Sequence, residues 1–86
     1  MKTRFHVIGL PAQAGHMLQA ARKAAGVSQA QVGLRLGLSQ SRISHLEKHA
    51  DQLTLVQFLS WAALLGLQVQ LGRPDAKSVQ PTVSDW

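Results

Sequence analysis

The segment Gln40-Ser41-Arg42-Ile43-Ser44-His45-Leu46-Glu47 concentrates side chains that make directional hydrogen bonds. Gln can bond adenine N6 and N7 together, Arg can bond guanine O6 and N7, and Ser can donate or accept. Ile43 and Leu46 lie three apart, so on a helix they share one face. Gln40, Ser41, Arg42, Ser44 and His45 are then left for the outside. That division suits a helix anchored to a core on one side and laid on the other in a DNA major groove about 12 Å wide. The first residues of such a helix reach the base edges, so Gln40, Ser41 and Ser44 are the expected base readers. Arg42 is expected to read a base or hold a phosphate. Gln29 opens the preceding helix and can offer its side chain and backbone N–H to a phosphate. Ser28, Arg35, His45 and Lys48 are the further expected phosphate contacts.

Other chemistry is poorly supplied. There is no cysteine, which excludes disulfides and thiolate metal sites and points to a reducing compartment. Asp and Glu together number four, and there is no Gly-rich phosphate loop, so the chain is not expected to be an enzyme. His45 and His49 have the i, i+4 spacing of two metal ligands, which bind only when further ligands converge. Their order, "HLEKH", is not His-Glu-x-x-His, and no metal or other cofactor is expected.

The elements that must position these groups can be read from punctuation. Pro11 suits a first helical turn, and Ala14, Leu18, Ala21 and Ala25 recur on one face, which predicts a helix over Pro11–Ala25 ended by Gly26. Ser28 followed by Gln31 is a capping-box pattern for a second helix over Gln29–Leu36, stopped by Gly37. Leu38 is an apolar plug, and Ser39 caps a third helix over Gln40–Lys48. The pair forms a helix-turn-helix unit. Residues 49–52 read as a loop. A fourth helix begins at residues 53–55 with Thr54 or Asp51 near its cap, carries Leu55, Phe58, Leu59, Ala62 and Leu65 as its stripe, and ends at Gly66. Leu67, Val69 and Leu71 alternate with Gln68 and Gln70, which is strand periodicity. Arg4–Ile8 is a second possible strand.

A chain of 86 residues makes one domain with a small core, so oligomerisation is expected. Residues 1–10 read as an arm or short strand, 11–66 as the helical domain, 67–72 as a dimerisation strand and 73–86 as a flexible tail. Charge is uneven. Residues 1–50 carry Lys2, Arg4, Arg22, Lys23, Arg35, Arg42 and Lys48 against Glu47 alone, a net +6 of the overall +5, with the remainder at −1. A basic half favours a polyanionic partner. No run approaches the roughly 20 apolar residues of a membrane span, and His6, Gly9 and Pro11 break up the N-terminal apolar run, so neither a signal peptide nor a membrane partner is expected. A cytoplasmic protein is the expectation.

The run "RKAAGVSQAQVGLRLGLSQSRISHLE" resembles the Cro/C1-type (XRE) helix-turn-helix family over residues 18–66, through Arg22, Ser28-Gln29, the small residue at 33, Gly37, Leu38, Ile43-Ser44 and Glu47. The resemblance implies a lambda-repressor-like all-α domain of four to five helices. It also implies that Arg22 pairs with Glu47 to tie the first helix to the third. Gly33 stands where the family usually has Ala, and His49 where it usually has Gly. The C-terminal "LTLVQFLSWAALLGLQVQL" is similar to HipB antitoxins, in which the strand after the last helix pairs with its copy in a second subunit. That likeness implies a homodimer with Leu67, Val69, Leu71 and Trp61 at its interface, although Trp61 also reads as core. It implies a bacterial, nucleoid-associated autorepressor that binds a palindromic operator and neutralises a HipA-like Ser/Thr kinase. Trp86, a large aromatic on a loose tail, is the expected toxin contact. Three readings stay open beside it: a stand-alone XRE regulator without a toxin, an interaction module that no longer reads DNA, and pairing of residues 67–71 with Arg4–Ile8 within one chain.

Overall fold

A computed structural model of the chain describes residues 5–73. Four α-helices follow one another: α1 (Pro11–Ala24), α2 (Gln29–Leu36), α3 (Gln40–Lys48) and α4 (Leu55–Leu64). A single 3-10 turn, Ala50–Gln52, occupies the loop between α3 and α4. The fold is small and all-helical, and α2 and α3 occupy the ranges expected from their caps.

Local chemistry sets these boundaries. The Gln13 side chain reaches back to accept from the N–H groups of Gly9 at 2.6 Å and Leu10 at 2.9 Å, which fixes the entry into α1. α1 stops one residue earlier than its apolar face suggests, with Ala25 as its cap. Ser28 Oγ accepts from the Gln31 N–H at 3.0 Å, and Gln31 Oε1 accepts from the Ser28 N–H at 2.7 Å, a reciprocal cap worth about 1 kcal/mol. α2 ends on Gly37 at φ 73°, a left-handed conformation that costs a residue with a Cβ about 1 kcal/mol or more. Ser39 Oγ then accepts from the Arg42 N–H at 3.1 Å and starts α3. Thr54, rather than Asp51, caps α4, exchanging 3.0 Å bonds with Gln57.

The core gathers one or two residues from each helix: Leu18, Val32, Ile43, Leu46 and Trp61 are fully or almost fully buried. Phe58, Leu36 and the plug Leu38 pack against them. Two glycines let backbones meet. A Cβ at Gly33 would overlap the Leu38 carbonyl oxygen, so the α2–α3 turn folds back onto α2 more closely than the family's usual Ala permits. A Cβ at Gly15 would overlap the Glu47 carbonyl oxygen, which brings α1 against the end of α3.

Trp61 is the largest side chain of the core. It is 0% exposed within one chain and belongs to the core, the other of the two places its sequence position suggested. Its indole N–H has no hydrogen-bond partner among the described residues. Beyond α4 the chain continues without helix to residue 73, and no strand ladder forms among the described residues, either by residues 67–71 alone or with residues 5–8. Leu67 packs on the core, whereas Val69 is 48% and Leu71 83% exposed. Arg4, the tail from residue 74 and the expected toxin contact Trp86 lie outside the described residues. No helix among the described residues is long and apolar enough to cross a membrane.

Candidate nucleic-acid interface

The surface formed by the N-termini of α2 and α3 is built on a buried ion pair. Arg22 of α1 donates from Nε to Glu47 Oε2 at 2.6 Å and from Nη2 to Glu47 Oε1 at 3.2 Å. Its Nη1 donates to the Val27 carbonyl at 3.0 Å. One guanidinium therefore joins α1, the start of the α2 approach and the end of α3. The pair is almost wholly shielded from water, where a two-pronged Arg–carboxylate contact is both directional and strong.

Gln29, the first residue of α2, carries this network to the surface. Its Nε2 donates to Glu47 Oε1 at 3.0 Å, and its Oε1 accepts from Gln40 Nε2 at 2.7 Å. Gln29 is half-buried, while Gln40, the first residue of α3, is exposed. The side chain expected on a phosphate is thus engaged with the expected base reader, and the backbone N–H groups of Gln29 and Ala30 are left at the open end of α2. Such helix N-termini favour anions. Gln19, Lys23, Ser28, Gln29, Ala30 and Gln40, with Arg22 beneath, line one shallow groove there.

Lys23 is the residue that sequence reasoning left as mere charge. It sits in the last turn of α1, exposed, on the wall of the groove that the α2 N-terminus opens into. Only the fold, which sets the end of α1 beside the start of α2, reveals that placement.

Along α3 the remaining expected contacts divide. Ser41 and Arg42 are exposed beside Gln40, with Ser41 Oγ 3.3 Å from the capping Ser39 Oγ. Ser44 and His45 are half-buried one turn further on. His45 Nε2 lies 2.9 Å from Gln52 Oε1, and its ring stacks on His49 with centroids 4.5 Å apart. Arg35 and Lys48 are exposed, and neither forms an ion pair among the described residues. No group of three or more His, Cys, Asp or Glu that could hold a metal occurs among the described residues.

Two short helices joined by a glycine turn, the second held on the core by Ile43 and Leu46 and presenting Gln40, Ser41 and Arg42 outward, define a helix-turn-helix protein. Residues 13–75 match the family model described as Helix-turn-helix domain, which covers most of the chain. The chain belongs to that family, and the match supports a DNA-binding regulator of the XRE-like kind. No curated protein matches it.

Proposed function

We propose that the chain is a sequence-specific repressor that binds a palindromic operator as a homodimer. The observation that carries this reading is the chain of contacts from buried Glu47 through Gln29 to exposed Gln40. It presents an ordered amide at the leading end of α3, where helices of this kind meet base edges. The basic balance of the chain and the exposed Lys23, Arg35, Arg42 and Lys48 supply attraction to phosphates.

Dimerisation is supported by a second, apolar surface. A long open groove runs between α1 and α4, flanked by residues 5–8 and 67–73. Phe5, Val7, Leu55, Val56 and Leu71 are all more than half exposed around and beside it. An apolar patch of that kind on a small domain favours a partner surface. Residues 67–71, as an unpaired strand, would gain main-chain hydrogen bonds from a second copy. A two-fold axis there would set two copies of α3 about one DNA turn apart, roughly 34–36 Å.

The resemblance of residues 53–71 to HipB antitoxins extends this reading to an autorepressor that also neutralises a HipA-like kinase encoded beside it. A stand-alone XRE regulator without a toxin partner is the alternative. An electrophoretic shift on the DNA upstream of its own gene tests the repressor. A discrete complex that survives excess random DNA is the expected result, and binding that random DNA abolishes would sink it. Co-expression with a neighbouring kinase separates the two regulators, since an antitoxin co-purifies with it and suppresses its activity.

A further inference from the structure

Residues 67–73 run along the border of the apolar groove between α1 and α4, and Val69 and Leu71 stand exposed there. Leu67, Val69 and Leu71 share one side of an extended chain, and Leu67 already packs on the core. An extended strand offers N–H and C=O groups along two edges, and a second copy can take only one of them. Residues 79–83, outside the described residues, repeat the alternation: Val79, Pro81 and Val83 are separated by Gln80 and Thr82. The two runs, LQVQL and VQPTV, are five residues each. The seven residues between them include Pro74-Asp75, a pair that starts turns.

We infer that residues 79–83 fold back on residues 67–71 as the second strand of a β-hairpin, which closes over the apolar groove. One register satisfies both faces. With Leu67 opposite Val83, Val69 opposite Pro81 and Leu71 opposite Val79, all six apolar side chains lie on the groove side, and Gln68, Gln70, Gln80 and Thr82 lie on the other. Sliding the pairing by two residues sets Lys77 opposite Leu71 or Asp85 opposite Leu67. Sliding it by one turns Gln80 and Thr82 to the groove. Pro81 agrees with this register. It has no N–H, and at a pair whose N–H groups point away from the partner strand it forfeits no ladder bond. Gln68–Thr82 and Gln70–Gln80 are then the hydrogen-bonded pairs. Pro81 also interrupts the outward edge of the hairpin, which discourages a further strand from adding there. A seven-residue connection gives the second strand an effective concentration on the order of millimolar, well above that of another copy in solution. The other edge of residues 67–71 stays open to a second copy. Two chains would then make a sheet of four strands, and three or more strands on an apolar face are stable where two are marginal. The four-stranded sheet rests on the dimer proposed above, whereas the hairpin does not.

Nuclear Overhauser spectra of the full chain of 86 residues test the hairpin. The α-protons of non-hydrogen-bonded pairs face each other within Overhauser range, since their Cα atoms are about 4.5 Å apart. Cross-peaks are expected between the α-protons of Leu67 and Val83, of Val69 and Pro81, and of Leu71 and Val79. The Gln80 and Thr82 amides should be protected from hydrogen exchange. Val79→Asp combined with Val83→Asp sets two carboxylates against the groove. It should abolish both the cross-peaks and the protection while the helices melt as in the full chain. Mixing isotope-labelled with unlabelled chains separates contacts within a chain from contacts between copies, and the expected cross-peaks arise within one chain. Cross-peaks from residues 67–71 only to residues 4–8, or only to another copy, would overturn the inference. The absence of any cross-peak between residues 67–71 and 79–83 overturns it equally, and a dimer seen by sedimentation in that sample would leave the dimer reading standing. Hairpin cross-peaks in a chain that sediments as a monomer would uphold the inference and sink the dimer reading.

Discussion

Gln40 and Lys23 illustrate two ways in which one side chain can serve the same surface. Gln40 is exposed, yet fixed by Gln29, and its expected work is discrimination. Gln40→Ala should cost about 1–3 kcal/mol of operator affinity and relax preference at one position, measured by titrating single-base variants of the operator. Lys23 is an exposed cation on the groove wall, and a phosphate contact carries no sequence information. Lys23→Ala should weaken binding about equally on every sequence and reduce the slope of log K against log salt by about 1. Glu47 belongs to a third kind. Its removal leaves the Arg22 charge buried without its carboxylate and the Gln29 NH2 without its acceptor. Glu47→Ala should lower stability by about 3–5 kcal/mol in urea unfolding, a large part of the total for a domain of this size. The Arg22–Glu47 pairing was accessible from resemblance, whereas the Gln29 bridges were not. Gln29 lies 18 residues from Glu47 and 11 from Gln40, and nothing local in the sequence encodes a contact made only after three helices pack.

At the scale of elements, α2 and α3 were legible because their ends are written in neighbouring residues. Ser28 with Gln31, Gly37, and Ser39 each act within four positions of themselves. The 3-10 turn at Ala50–Gln52 was not legible, since three residues are too few to show a period. Thr54 and Asp51 were both plausible caps until the Gln57 side chain chose Thr54. Gly15 escaped notice for a different reason. In a helix a glycine reads as lost propensity, and only the crossing of α3 over α1 shows that no larger residue fits. Gly33 makes the same point within the helix-turn-helix unit. Its substitution by Val places branched atoms against the Leu38 carbonyl and should cost about 1–3 kcal/mol, seen as a lower thermal midpoint. Because the turn would have to open, α3 should also shift on the core, so operator binding by Gly33→Val should fall by more than its stability loss explains.

At the scale of the molecule, two surfaces of opposite character lie on a domain with a small core. One is basic and ordered by hydrogen bonds. The other is apolar and open, bordered by the chain segments before α1 and after α4. Strand periodicity in residues 67–71 survives as a proposal about two chains, because no partner strand for them forms among the described residues. Val69→Asp should therefore leave the monomer's helices intact and shift sedimentation from dimer to monomer, while operator affinity drops with the loss of the second half-site. A Val69→Asp protein that sediments as a dimer would exclude residues 67–71 from the interface.

The seclusion of Trp61 has an optical consequence. An indole held away from water, with no hydrogen bond to its N–H, emits at shorter wavelength than one in solvent. The chain has two tryptophans, so Trp86→Phe leaves a single emitter at the centre of the core. Its emission would redden as the helices separate and would remain unchanged by events at the DNA-facing surface. The protein thus carries a built-in fluorophore that distinguishes loss of fold from loss of binding in each of the variants above.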